Sequence, residues 1–374
     1  MYKVLHVFSG FGGGISSLIL NLTENKTADF QFDTLAFSYK NGEKFVERVQ
    51  ACGGRCLTMP RPRAEGVQRF NRYLNKVLQD GGYDVVHCHI AGWMSMPFYK
   101  AAKKQGVKRF LIHAHTTCYD SRIDRLPPVQ AFNKQINFKQ ADGYMICSDL
   151  AGNYIFGEKY MEKKPTLLIP NGINEAAFTQ VLTQQEKENL RLELGVAGNA
   201  RLVGHVGRFT RLKNHDAILE LAEAMGKKES DVRFVLVGDG ECFDQVCEKI
   251  RQRKLEKTVL PIGRRGDVAK LMQLFDCMIL PSLNEGLPTV AVECQAAGTP
   301  MVLSDTITRQ CDMGMGLTAF LPWSDTQAWV DALCGFMDKK RCPEEGLKMA
   351  RQKGFTAAAA GQLYCDQLRK LIEK

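Results

Sequence analysis

What this 374-residue chain lacks narrows its class before any motif is considered. No run of 18 apolar residues occurs, so a membrane-spanning helix is not expected. The opening Met1-Tyr-Lys-Val-Leu-His-Val-Phe8 is too short and too soon interrupted to act as a secretory signal peptide. There is no Cys-x-x-Cys, and the thirteen cysteines are odd in number and scattered. Cys88, Cys147 and Cys277 lie inside apolar, strand-like runs, where cysteine serves as a small hydrophobe. A disulfide scaffold is therefore excluded and a reduced, cytoplasmic chain expected. No short internal repeat is found. With 45% hydrophobic and 24% charged residues, the composition is that of a globular protein, not a disordered one.

The length is too great for one ordinary core and suits two domains of about 150–200 residues. The net charge of +9 is unevenly spread, since residues 97–164 hold twelve Lys or Arg against six Asp or Glu. Such a stretch suits an anionic surface, and a plain solvated face equally. Strand-like and helix-like patterns alternate nearly throughout, which calls for parallel sheets covered by helices. In the first half the strands are expected at 4–8, 32–37, 55–59, 84–89, 109–115, 144–147 and 166–169. Helices are expected at 15–23, 41–51, 67–79, 95–104, 119–140 (broken by Pro127-Pro128) and 150–154. Pro170-Asn-Gly-Ile173 is a turn signal. The polar region 175–199 lacks a strand and marks the domain boundary. The second half restarts the alternation, with strands at 202–206, 233–237, 259–262, 277–280 and 301–303. Its helices are expected at 214–225, 241–252, 267–274, 288–297 and 325–337. A last helix, 356–373, carries Leu363, Tyr364, Leu368, Leu371 and Ile372 and has no strand after it, so it must bury that face elsewhere.

Three strand–loop–helix units have the character of phosphate sites. The most informative is Pro281-Ser-Leu-Asn-Glu-Gly-Leu-Pro-Thr289, between a strand and a helix that Gly298 ends. A helix N-terminus offers backbone N–H groups and the positive pole of the dipole. Gly286 lets a ligand approach the backbone. Glu285 and Glu293 are eight residues apart, so one stands at the mouth and the other about two turns down. A carboxylate near a bound phosphate would serve to accept hydrogen bonds from sugar hydroxyls. A capped helix with two solvated glutamates is the plainer alternative. The second unit, Gly204-His-Val-Gly-Arg-Phe-Thr-Arg-Leu-Lys-Asn214, supplies Arg208 and Lys213, a planar fork and a point charge suited to a diphosphate. The third is Gly10-Phe-Gly-Gly-Gly14, whose glycines, Gly13 and Gly14 among them, let backbone amides approach an anion while the helix after them supplies the dipole. It lacks the G-x-G-x-x-G spacing and following acidic residue of a dinucleotide site, and a tight turn would explain it too.

Four of the seven histidines form two His-x-His pairs, His87/His89 and His113/His115, each at the end of an expected strand. Alternation puts the members of a pair on one face. Adjacent strands would gather four imidazoles, which raises zinc. No carboxylate or cysteine stands between them as a ligand, and a single histidine facing a crevice as hydrogen-bond donor is the preferred expectation.

As a set, these motifs resemble one family over almost the whole chain. Glu285-Gly-Leu-Pro through Glu293, followed by Ala297-Gly-Thr-Pro300, resembles the E-x7-E signature of retaining, nucleotide-sugar-dependent glycosyltransferases of family 4. Gly207-Arg208 through Lys213-Asn214, Val235-Leu-Val-Gly-Asp-Gly240 and Ile169-Pro-Asn-Gly172 match further signatures in the expected order. His113-Ala-His-Thr116 and Cys147-Ser-Asp149 look most like the branch that builds capsular and exopolysaccharides. Thr308-Arg-Gln-Cys311 departs from that branch, which usually has an acidic residue there.

The resemblance implies an α/β, GT-B fold: two Rossmann-like domains facing across a cleft, 1–174 for the acceptor and 175–355 for the nucleotide sugar. The terminal helix, 356–374, would cross back to the first. It implies that Arg208 and Lys213 hold the diphosphate, and that Gly286, Leu287, Pro288 and Thr289 line phosphate and sugar through their backbone. Glu285 would bind hydroxyls of the transferred sugar, Glu293 the ribose, and Arg264 would flank the base. His115 matches the histidine that reaches the sugar near the reacting carbon; His115 and Glu285 are the expected catalytic pair. The implied reaction moves a hexosyl or N-acetylhexosaminyl group, with retention, from a UDP-sugar to a lipid-linked or oligosaccharide acceptor. No cofactor and no divalent metal are expected, because Arg208, Lys213 and the helix end already stabilise the leaving diphosphate. An anionic membrane surface is an expected contact, with attachment from the cytoplasmic side, and nucleic acid is not. A nucleotide-sugar epimerase of the same fold and a non-catalytic sugar-nucleotide-binding protein are the rivals.

Overall fold

The structure is a computed structural model and describes residues 1–117, 122–196, 198–228, 231–339 and 343–373. The chain divides into two units, Met1–Gly172 with Gly354–Lys374, and Ile173–Lys353. Each is built on a wholly parallel sheet.

In the first unit the strands are β1 (Tyr2–Phe8), β2 (Phe30–Ala36), β3 (Cys56–Thr58), β4 (Val85–Cys88), β5 (Arg109–Ala114), β6 (Gly143–Ile146) and β7 (Thr166–Leu168). Their order across the sheet is β3-β2-β1-β4-β5-β6-β7. The second unit has β8 (Arg201–Val206), β9 (Val232–Val237), β10 (Val259–Gly263), β11 (Cys277–Leu280), β12 (Met301–Ser304) and β13 (Thr318–Leu321), ordered β10-β9-β8-β11-β12-β13. The continuous apolar runs become strands because helices cover both faces of such sheets, so no alternation is needed. β4, β6, β11 and β12 are buried at every residue.

The terminal helix, Ala357–Ile372, belongs to the first unit. Thr356 caps it, its hydroxyl accepting from Ala359 N. Tyr364, Cys365, Leu368 and Leu371 join Val4, Leu18 and Leu22 in one core. Close approach depends on Gly361, where a Cβ would stand 2.5 Å from the Asn25 carbonyl oxygen. Arg369 pairs with Asp29 at 2.8 Å on the rim. Leu363, expected on the buried face, is exposed, because the face in contact runs through 364, 368 and 371 and leaves 363 one step around the helix.

Other departures are local. Pro127 and Pro128 start the helix Pro127–Gln140 instead of breaking a longer one, since their missing N–H groups cost nothing in a first turn; the expected residues 119–121 lie outside the described chain. β13 and the helix Pro343–Gln352 were not expected. Pro288 is the N-cap of the helix Thr289–Ala296 and not its first residue. Among the described residues no helix is long and apolar enough to cross a membrane.

Candidate active site

In an open parallel sheet, loops leaving neighbouring strands in opposite directions open a crevice at the C-terminal strand ends. In the second unit that point lies between β8 and β11. The loop after β8 carries Gly207-Arg208 through Lys213-Asn214, and the loop after β11 carries Pro281 through Pro288. The backbone ties them together: Leu283 N donates to Leu212 O at 2.8 Å, and Asn214 Nδ2 reaches Pro281 O at 3.3 Å. Asn214 takes the left-handed conformation that ends the turn before the helix His215–Lys228, a role asparagine fills without strain. The loop after β9 closes the other side. Gly238, at φ 143°, lies so close to β8's loop that a Cβ would meet Gly207 O at 1.9 Å.

This geometry brings Lys213 and Glu285 together. Their charged groups meet at 2.5 Å, with side chains 18% and 16% exposed. A half-desolvated ion pair between two strand-end loops is organised by its surroundings, unlike a surface pair, which contributes little. Arg208 differs: its side chain is 71% exposed and only brushes Glu241 at 3.9 Å. It is a cation held in place at Cα and loose at the guanidinium. Gly286 and Thr289 are half-buried and Leu287 is buried. Pro288 has no N–H, so it can offer no amide to a phosphate, unlike its neighbours Leu287 and Thr289. No side chain caps the helix Thr289–Ala296, which leaves its first turn turned to the crevice.

Glu293 is half-buried on that helix. Burial raises its carboxyl above the usual carboxylate range, and among the described residues no ion pair or side-chain hydrogen bond offsets this. A carboxylate left without a partner in such a place is suited to accept from the hydroxyls of a ligand. Arg264 is exposed at the end of β10, and no ion pair restrains it among the described residues. Its neighbour Arg265 is instead tied down by Asp267 at 2.8 Å and by Glu193. The segment after β12 is structural: Thr308 caps the short turn Arg309–Cys311, and Gln295 donates to Cys311 O and accepts from Met313 N.

In the first unit the corresponding point lies between β1 and β4. Gly13 and Gly14 are the first residues of the helix Gly13–Glu24, both exposed, with Gly12 at φ 134° and Gly13 at φ 69°. Ser16 Oγ already accepts from Gly12 N at 2.9 Å, so this amide is not available to an anion. Beside this turn the histidines assemble. β4 and β5 are neighbours, so the two His-x-His pairs do meet, and His6 joins them because register sets it against His87. His113 lies 3.9 Å from His115, ring centre to ring centre, and His87 4.3 Å from His89. Tyr364 of the terminal helix closes the group, its hydroxyl 2.6 Å from His87 Nδ1. His6 was not singled out from sequence, and Tyr364 was expected only on the buried face of the terminal helix; a histidine within an otherwise apolar strand was the available signal. Burial holds His6 and His115 down at about 3 and the other three well below the ordinary imidazole value, so all five are neutral at pH 7.

Two triples, His6/His87/His89 and His89/His113/His115, each bring one ligand atom per residue within 4.8 Å. The rings are stacked more than convergent, and the nitrogens that approach closest do so at hydrogen-bond distance. The arrangement is therefore that of a hydrogen-bonded cluster, with all ligand atoms neutral and no carboxylate among them. The basic stretch is partly neutralised within its own unit, Lys108 by Asp84 at 2.8 Å and Lys103 by Asp142 at 3.5 Å.

Comparison with known proteins identifies the family. Residues 12–177 match the family model Glycosyltransferase Family 4, and residues 186–315 match Glycosyl transferases group 1. The chain is 33% identical over 369 residues to a protein of Bacillus subtilis (strain 168) assigned as the glycosyltransferase EpsF, covering 95% of this chain and 93% of that one. It is 26% identical over 273 residues to the Escherichia coli UDP-Gal:alpha-D-GlcNAc-diphosphoundecaprenol alpha-1,3-galactosyltransferase, covering 71% and 70%. Among solved structures, Anabaena Alr3699/HepE in complex with UDP and glucose superposes with a TM-score of 0.78 at 18% identity, over 99% of this chain and 100% of that one. A glycosyltransferase from Rickettsia africae ESF-5 superposes with a TM-score of 0.80 at 17% identity, over 100% and 99%. Likeness at such identity speaks for the fold; the Bacillus relative speaks for the family. The chain is a glycosyltransferase of family 4, built on the GT-B fold.

Proposed function

We propose that this enzyme moves a hexosyl or N-acetylhexosaminyl group from a UDP-sugar to a lipid-linked or oligosaccharide acceptor in polysaccharide biosynthesis, with retention at the anomeric carbon. The observation that carries the reading is the Lys213–Glu285 pair, which joins a cation and a carboxylate at the crevice of the second unit. Lys213 and the loose Arg208 neutralise the diphosphate. The amides of Gly286, Leu287 and Thr289 meet its oxygens, with Gly13 and Gly14 as further backbone contacts in the first unit. Glu285 accepts from sugar hydroxyls, Glu293 from the ribose, and Arg264 flanks the base. His115, neutral at pH 7, hydrogen-bonds the transferred sugar.

In the reaction the bond from C1 to the phosphate oxygen breaks and a bond from the acceptor oxygen to C1 forms on the same face. The departing phosphate oxygen takes the acceptor's proton. Arg208, Lys213 and the helix end supply the charge stabilisation that this leaving group needs, and the reading requires no metal. The named substrates of the two relatives, a UDP-galactose donor with a diphosphoundecaprenol acceptor and a bound UDP, support a UDP-sugar and a lipid-linked acceptor here.

Contact with an anionic membrane from the cytoplasmic side is part of the same proposal. The first unit exposes Trp93, Met94, Ile123, Leu126 and Phe132, and Trp93 N donates to Asn133 Oδ1, joining two of these segments. The deciding experiment is a thermal-shift screen of UDP-, GDP- and ADP-sugars, followed by turnover with polyprenyl-diphosphate saccharides. Stabilisation by UDP-sugars and acceptor-dependent release of UDP are expected. Product formed from the donor alone, or stabilisation only by GDP- or ADP-sugars, would overturn the reading.

A further inference from the structure

Three imidazoles of the first unit stand in a file that ends at His115. His6 Nδ1 lies 3.1 Å from His89 Nε2, and His89 Nδ1 lies 2.7 Å from His115 Nε2. Each separation is a hydrogen bond and holds one proton. A neutral imidazole has a single N–H to donate and a single lone pair to accept with. His89 spends both nitrogens, so it must accept on one side and donate on the other. The file therefore has a direction, and only two arrangements exist.

If the protons point inward, His115 Nε2 donates to His89, His89 Nε2 donates to His6, and the His6 proton sits on Nε2. That nitrogen is buried and meets no partner among the described residues. A buried N–H without an acceptor is costly, and the neutral His113, with both nitrogens buried and unpartnered among the described residues, already carries one; the inward file would add a second. If the protons point outward, His6 Nδ1 donates to His89 Nε2 and His89 Nδ1 donates to His115 Nε2. The inner end is then a bare lone pair, and the proton of His115 sits on Nδ1, at the half-exposed end of the file. The second arrangement puts the donor where solvent or a ligand can accept from it.

We propose that His6 and His89 are positioning residues which hold His115 in the Nδ1–H tautomer, so that it presents a donor, and never a lone pair, to its substrate. This rests on the reading of His115 as the group that hydrogen-bonds the transferred sugar. The stacked ring of His113, 3.9 Å from His115, restricts rotation of the terminal imidazole.

The test uses the full chain labelled with 15N-histidine. Long-range 15N–1H correlation spectra at pH 7.5 are expected to show His115 and His89 protonated on Nδ1 with unprotonated Nε2. His89→Asn and His89→Asp form an isosteric pair that separates polarity from packing. The amide places an N–H near the position of the His89 Nδ1 donor, so His115 should keep its tautomer and kcat should stay within about threefold. The carboxylate can only accept, so it should move the His115 proton to Nε2 and lower kcat by about 100-fold or more with little change in donor KM. Should both variants turn over alike while the spectra show the expected tautomer and its reversal by Asp, the file stands and the substrate contact of His115 falls. A wild-type His115 protonated on Nε2, or stoichiometric zinc in the purified protein, would overturn the proposal, because the nitrogens would then be donors of the wrong polarity or metal ligands.

Discussion

Lowering the pH from 7 to 5 acidifies a molecule whose seven histidines are all held below the ordinary imidazole value by burial. A depressed folded-state value means that the unfolded chain takes up protons first. Stability is then unaffected above about pH 7, falls as pH drops through the unfolded value near 6.5, and keeps falling until the folded value is reached. With a folded value at about 3, His6 costs about 2 kcal/mol between pH 7 and pH 5, and His87, His89 and His113, held well below the ordinary value by burial, act in the same direction. Even a few kcal/mol lost in this way is a large part of the whole stability of an ordinary domain, about 5–15 kcal/mol. His205 and His215, at about 3 and about 4, each take about 2 kcal/mol from the second unit. The carboxylates held low by their partners, such as Asp29 and Asp84, retain their contribution at these pH values and lose it only further down. With five such histidines against two, the first unit is therefore expected to lose more stability than the second between pH 7 and pH 5. Urea unfolding followed by circular dichroism at pH 7.5, 6.5, 5.5 and 5.0 measures the slope. Hydrogen exchange read by mass spectrometry, corrected for intrinsic rates, assigns it to a unit. An uptake of about four protons on unfolding of the first unit is expected; an uptake of one or fewer, or loss of the second unit first, would refute the reasoning.

Removing the cation in Lys213→Met should lower kcat/KM about 100-fold or more, roughly 3 kcal/mol of transition-state stabilisation, with unchanged circular dichroism. Glu293 has the opposite linkage to a salt-bridged carboxylate, because its raised value makes the charged form a penalty at neutral pH. Glu293→Gln should accordingly raise Tm at pH 7, with the gain disappearing below the ordinary carboxylate range, while calorimetry shows weaker nucleotide-sugar binding. In Gly238→Ala the new methyl would stand 1.9 Å from Gly207 O at a φ of 143°, so the two strand-end loops must separate. A loss of about 2 kcal/mol or more in denaturant unfolding is expected, together with loss of the donor-induced thermal shift.

Much of the second unit's crevice could be placed from local pattern. Apolar runs for β8 and β11, a glycine-rich turn with Arg208 and Lys213, and a loop with Glu285 and Gly286 before a helix are all written within a few residues of one another. Both loops leave C-terminal strand ends, so parallel topology alone sends them to one side. Gly13 and Gly14 were expected in the loop before a helix and are instead its first two residues, and sequence could not show that Ser16 folds back to take the Gly12 amide.

What the sequence determined by itself is therefore whatever depends on near neighbours: the strand–helix alternation, the parallel sheets that it requires, and the family signatures carried on the turns between them. Only the tertiary structure decided the long-range pairings. Lys213 meets Glu285 because β8 and β11 are adjacent although 72 positions separate the two residues. His6, the two His-x-His pairs and Tyr364 converge because β1, β4 and β5 lie side by side and the terminal helix returns to the same core. Strand order and register are set by the packing of the whole sheet, and no window of sequence contains them.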